Sequence, residues 1–206
     1  MCSPTLLLVT AVLLTGFSAS GQSRTQLCPP PNPGVICWQP GVKLRWKDFE
    51  AHRSPAQAAY PRQATLAACC TSEIAILPYR DAHDRPTLLV ESFFIKSKSW
   101  VRDSTRADSK LVLAHEQLHF DINELYARKI RLKIAQQYTG TRPENGLDLQ
   151  DEISALLHEV NLFNQTFDRE THQDPSLGRL RQWQALVAQD LNALEAYQST
   201  ACTCGQ

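Results

Sequence analysis

The chain has no excess of charge of either sign: 21 Lys and Arg offset 21 Asp and Glu, scattered along 206 residues. That excludes the basic stripe with which proteins hold nucleic acid and the polybasic face that clings to an anionic membrane. A long apolar run is also missing from the body of the chain. The one such run, residues 6–14, is too short to span a bilayer comfortably. Small residues follow it at Ser18, Ala19, Ser20 and Gly21, the layout of a secretory signal peptide cleaved near residues 19–21. The first five residues lack Lys or Arg, and no Cys follows the run at a lipoprotein position. The expected division is a signal peptide at 1–21 and a single domain at 22–206, exported to the periplasm or medium without stable membrane insertion after cleavage. No internal repeat or low-complexity segment is present.

Cysteine is used sparingly and in pairs. Beyond Cys2 there are Cys28, Cys37, Cys69, Cys70, Cys202 and Cys204, an even number that suggests disulfides in an exported chain. Cys28 with Cys37 would close a small Pro-rich loop, and Cys69 and Cys70 would bond elsewhere, pinning the Cys202-Thr-Cys204 tail to the sheet. A second metal site is the weaker reading, because neither pair has the two-residue spacing of cysteine ligands.

Pro and Gly are absent from residues 108–138, where Leu, Ala, Glu, Gln, Lys and Arg dominate. These are strong helix formers. Leu111, Leu118, Ile122, Leu125 and Leu132 recur at three- and four-residue spacing, an apolar stripe facing a core. On that helix lies His115-Glu-Gln-Leu-His119. Histidines four apart project from one face and can reach one tetrahedral zinc. Glu116 beside them is placed to take the proton of a zinc-activated water as general base.

Around this helix the pattern predicts an α+β fold: a small N-terminal antiparallel β-sheet packed against a C-terminal bundle of about three helices, the first carrying the motif. Residues 22–41 read as loop, 42–46 as a short strand, and 65–77 and 87–101 as the principal strands. A second helix is expected over 147–167, with Leu149, Ile153, Leu156, Val160 and Phe163 on its apolar face, and a third over 177–197. The sheet edge at 87–101 is expected to bind an extended peptide by strand addition.

A catalytic zinc takes three protein ligands and keeps one position open. Glu124 lies about half a turn round the helix from His119 and is expected to pair with Arg128 instead. Glu152 and Glu159 are possible ligands from the second helix. The cluster Phe167-Asp-Arg-Glu-Thr-His172 falls where that helix should end, so its side chains could turn back toward the first. His172 is the leading third ligand, with Glu170 and Glu159 behind it, and Asp168 would orient a ligating histidine without touching the metal itself. His158 reads as a polar-face residue, and His52 and His83 fall in loops.

Leu111-Val-Leu-Ala-His-Glu-Gln-Leu-His-Phe-Asp-Ile122, with Ser99-Trp-Val101 before it and Glu124 and Ala127-Arg128 after it, resembles a bacterial family of predicted secreted zinc-dependent proteases, long described as a domain of unknown function. Trp46-Lys-Asp-Phe49 and Ala58-Ala-Tyr60 are similar to its N-terminal half; Phe167-Asp-Arg-Glu-Thr171 and Gln182-Trp183 are similar to its C-terminal half. The resemblance implies that His115 and His119 hold zinc and that Glu116 is the catalytic base. One departure falls on the third ligand. In the family one residue separates the Thr from a histidine, whereas here His172 follows Thr171 directly. Either His172 takes the role through a local shift or that ligand is lost.

The expected activity is that of an exported zinc-dependent metallopeptidase acting on a peptide or protein substrate. The alternative is a non-catalytic, disulfide-stabilised exported binding protein with a structural or vestigial zinc site. An open three-ligand site would favour the first, and a fourth protein ligand the second.

Overall fold

The computed structural model describes residues 32–52, 66–80, 84–139 and 148–199. The expected signal peptide at 1–21, Cys28, the stretch 58–60, His83, Cys202 and Cys204 fall outside the described residues. The α+β arrangement holds: strands come first and three helices follow.

The strands are β1 (Val35–Cys37), β2 (Ala68–Cys69), β3 (Ser72–Arg80), β4 (Pro86–Ile95) and β5 (Trp100–Val101). β1, β4 and β3 form an antiparallel sheet in that order, and β2 pairs with β5 in a second, two-stranded one. β4 is therefore the central strand of its sheet, and the expectation that 87–101 offers a free edge is corrected. Residues 65–77 do not form one strand, because Cys70 and Thr71 turn their N–H groups to side chains. Cys70 N–H donates to Glu116 Oε2 at 2.6 Å and Thr71 N–H to Ser99 Oγ at 2.9 Å. Residues 87–101 likewise break at a 3-10 turn, Lys96–Lys98.

Two further expectations fail locally. The Pro-rich stretch 22–41 contains β1, where Val35, Ile36 and Cys37 free of proline pair with the far edge of β4. Residues 42–46 are not a strand. Leu44 N–H is held by Gln117 Oε1 at 2.8 Å, and Trp46–Asp48 forms a 3-10 turn whose Asp48 accepts Arg45 N–H.

Helices α1 (Ser109–Thr139), α2 (Leu149–Gln173) and α3 (Leu177–Ala193) follow. The side chains of Asp148 and Ser176 cap the starts of α2 and α3. α1 is the centre of the molecule, with Phe120, Ile122, Leu125, Tyr126 and Ile130 fully buried against the sheet and the other two helices. α2 runs on to Gln173, six residues past the expected end. No Gly or Pro interrupts it, and Pro175 is the first residue that could. α1 and α2 make an antiparallel hairpin, joined by Lys133–Glu152 at 3.3 Å, Tyr126–Glu159 at 2.7 Å, His119–Asn164 at 2.7 Å and His115–Asp168 at 3.2 Å. Among the described residues no helix is long and apolar enough to cross a membrane.

Charge is buried too. Glu124, fully enclosed, pairs with Arg128 at 2.9 Å as expected and also with Arg131 at 3.0 Å. Arg128 donates to Leu191 O, and Arg131 to Val90 O and Tyr197 O, so one carboxylate ties α1 to the sheet and the C-terminal turns. Cys37 and Cys69 each take part in a disulfide. Cys70 is a free thiol, so full pairing of the cysteines fails there. Burial first, and the charge of Glu116 second, push its pKa well up.

Candidate metal centre

Burying two imidazoles on α1 requires partners for their nitrogens. The structure supplies one acidic partner between them. Asp168 Oδ1, from α2, lies 3.2 Å from His115 Nε2 and 3.0 Å from His119 Nε2, and the two Nε2 atoms are 3.2 Å apart. These atoms form a near-equilateral triangle. A tetrahedral zinc with bonds of about 2.0–2.1 Å separates neighbouring donors by about 3.3–3.4 Å. The residues present thus fit such an ion in both chemistry and spacing.

Neighbouring groups choose the tautomers. Asn164 Nδ2 donates to Val160 O, which turns Asn164 Oδ1 toward His119 Nδ1 at 2.7 Å. Thr171 Oγ1 donates to Phe167 O and can only accept from His115 Nδ1, at 3.5 Å. Each Nδ1 is therefore the N–H, and each Nε2 lone pair points at the triangle, the usual device around metal-ligating histidines. Phe167 fixes the ring planes. Fully buried, it stacks on His115 with centroids 4.3 Å apart and meets His119 edge-on at 4.9 Å. Replacing Asn164 by Leu is expected to weaken zinc binding about 10–100-fold with the fold intact, as loss of a second-layer partner does; a competition titration with a chelating indicator would measure it.

Protons compete for the same lone pairs. Burial works to lower the His119 pKa, but the Asp168 hydrogen bond and charge outweigh it, with help from Glu116 and Asn164, and raise it to about 9. Burial works to raise that of Asp168, but its close contacts with His115 and His119 hold it well below the usual carboxylate range. Below about 9, metal must displace a proton from His119. Zinc affinity is therefore expected to rise with pH toward about 9 and to level off above it. The same titration, repeated across pH, checks this, and an affinity flat through the neutral range would exclude a protonated His119.

Glu116, next to the first histidine, is buried and lines the same cleft of about 700 Å³ as His115, His119 and Asp168. Its hydrogen bond from Cys70 N–H anchors the carboxylate at the junction of β2 and β3. The other candidates go elsewhere. His172 is exposed, lining the cleft one turn beyond Asp168 with its ring centroid 6.2 Å from that of His115. Glu170 accepts from Trp183 Nε1 at 3.1 Å, and Glu159 from Tyr126 and Lys129. Glu152 pairs with Lys133. His158 is an exposed residue of α2 at the cleft rim, and His52 is exposed. Asp168, expected behind a histidine, lies within donor distance of both Nε2 atoms, and among the described residues no fourth His, Cys, Asp or Glu joins the three.

Sequence reasoning missed Asn164, Phe167 and Thr171 as supports. The signal was present in their spacing. Continued as helix, 164, 168 and 171 share one face at intervals of four and three. The chain matches no described protein family, no curated protein and no solved structure.

Proposed function

We propose that this chain is an exported zinc-dependent metallopeptidase. The observation that carries the reading is the convergence of three metal-donor atoms, on His115, His119 and Asp168, in the cleft that also holds Glu116. Two imidazoles and a carboxylate are a donor set of the zinc hydrolases, and three donors rather than four leave a position for substrate chemistry. Zinc bound there acidifies water and polarises a carbonyl. His115, His119 and Asp168 hold the ion. Glu116 takes a proton from the attacking water as its oxygen bonds the scissile carbon, and returns that proton to the nitrogen as the C–N bond breaks. The Cys70 amide keeps the Glu116 carboxylate in register for both transfers. Bonded Cys37 and Cys69 support an oxidising compartment, in line with the signal-peptide reading. The resemblance to secreted bacterial zinc proteases points the same way.

Glu116→Gln is expected to retain full zinc and lose about 10²–10⁴ of its turnover of unfolded protein, the range supplied by a general base. Zinc content by elemental analysis and peptide release by mass spectrometry read the two quantities separately. Undiminished hydrolysis would sink the assignment of the base, and zinc binding without hydrolysis in the parent protein would favour the binding-protein alternative.

A further inference from the structure

β3 is the edge of its sheet on the side that reaches the metal centre. Its register with β4 runs from Ser72 opposite Phe94 to Arg80 opposite Pro86, and just before it Ile95 N–H bonds Thr71 O at 2.8 Å. Antiparallel ladders alternate, so Thr71, Glu73, Ala75, Leu77 and Tyr79 direct their backbone groups at β4. Ser72, Ile74 and Ile76 direct theirs away from it, and no strand among the described residues pairs with that side. The next outward position is Pro78, which has no N–H to give. The open template therefore begins at the site and stops at that proline.

Its near end is built into the centre. Residues 70–74 line the same cleft as His115, Glu116, His119 and Asp168, and Cys70, at the turn into β3, donates its N–H to Glu116. Exposed backbone donors and acceptors at a sheet edge bind extended polypeptide by strand addition. Resting on the peptidase reading, we propose that residues 72–76 form the substrate-binding strand, to which an extended polypeptide segment adds antiparallel. The segment then runs from Ile76 toward Ser72 and passes its scissile bond beside Glu116. Residues N-terminal to the cut lie over β3, and Pro78 sets how far from the cut pairing extends. Leu111, Val112 and Leu157 on the facing helices give the cleft an apolar wall for a substrate side chain.

The test is backbone amide exchange on the full-length, zinc-loaded Glu116→Gln protein, with and without a mixed-sequence pool of short unstructured peptides. Exchange at Ile74 and Ile76 is expected to slow about tenfold when peptide is present at about ten times its Kd. In a Pro78→Val background, the new amide at 78 should be protected as well. No protection of these amides, or protection confined to the helices, overturns the proposal. If the parent protein still cleaves peptides while the edge stays unprotected, the strand assignment fails alone and the peptidase reading stands. If the edge is protected and the parent cleaves nothing, the strand is upheld and the peptidase reading falls.

Discussion

Asp168→Asn protein is expected to purify without zinc, while His172→Ala protein purified beside it keeps its full complement. The two residues are one helical turn apart on α2, and only Asp168 places an atom within 3.2 Å of both histidine nitrogens. The amide keeps the shape of the carboxylate and removes its charge, so the variant isolates the donor from the packing. Loss of a group that only supports a ligand costs about 10–100-fold in affinity, and loss of a ligand should exceed that. Peptide hydrolysis should vanish with the metal. Zinc retained by Asp168→Asn and lost by His172→Ala would reverse the assignment and return His172 to the role the sequence suggested for it.

The second large effect lies away from the cleft. Glu124→Ala is expected to destabilise the protein by about 3–5 kcal/mol, because removing one member of a buried ion network strands the others. Arg128 is nearly as enclosed as Glu124, and without the carboxylate its charge is left with the Leu191 carbonyl, the Gln198 amide oxygen and the face of Trp38, none of them anionic. For a chain of this size each kcal/mol moves the melting temperature by about 2–4 °C. A thermal melt of Glu124→Ala should therefore fall by about 6–20 °C. Asp108→Ala, which breaks the exposed pair with Arg106, should leave the melt nearly unchanged, because solvent screens such a pair. Equal effects from the two variants would mean that the buried network carries no special weight.

The motif helix was legible because three signals coincide in residues 108–138: absence of Gly and Pro, an apolar stripe, and two histidines on its inner face. The sheet was legible in kind but not in its breaks. What interrupts 65–77 is the capture of Cys70 and Thr71 amides by Glu116 and Ser99, contacts between residues 46 and 28 positions apart that no local pattern encodes. The candidate donor set differs from the sequence reading for a different reason. The sequence reading ends α2 at Phe167, yet a helix stops where capping or proline stops it, and Pro175 is the available signal. With α2 carried to Gln173, Asp168 points at α1 and His172 turns outward to the cleft.

The hairpin of α1 and α2 has a further consequence. Its connection lies beyond Lys133 and Glu152, whereas His115 and Asp168 close its opposite, open end. That end is also held by α3, where Trp183 packs edge-on against Phe167 and donates to Glu170. The candidate metal site is thus a clasp rather than a keystone: Lys133–Glu152 and Tyr126–Glu159 join the hairpin without it, and an ion seated there would shut its mouth. Local opening of the last turns of α2 would then set how quickly the site exchanges its metal, without any need for the molecule as a whole to unfold.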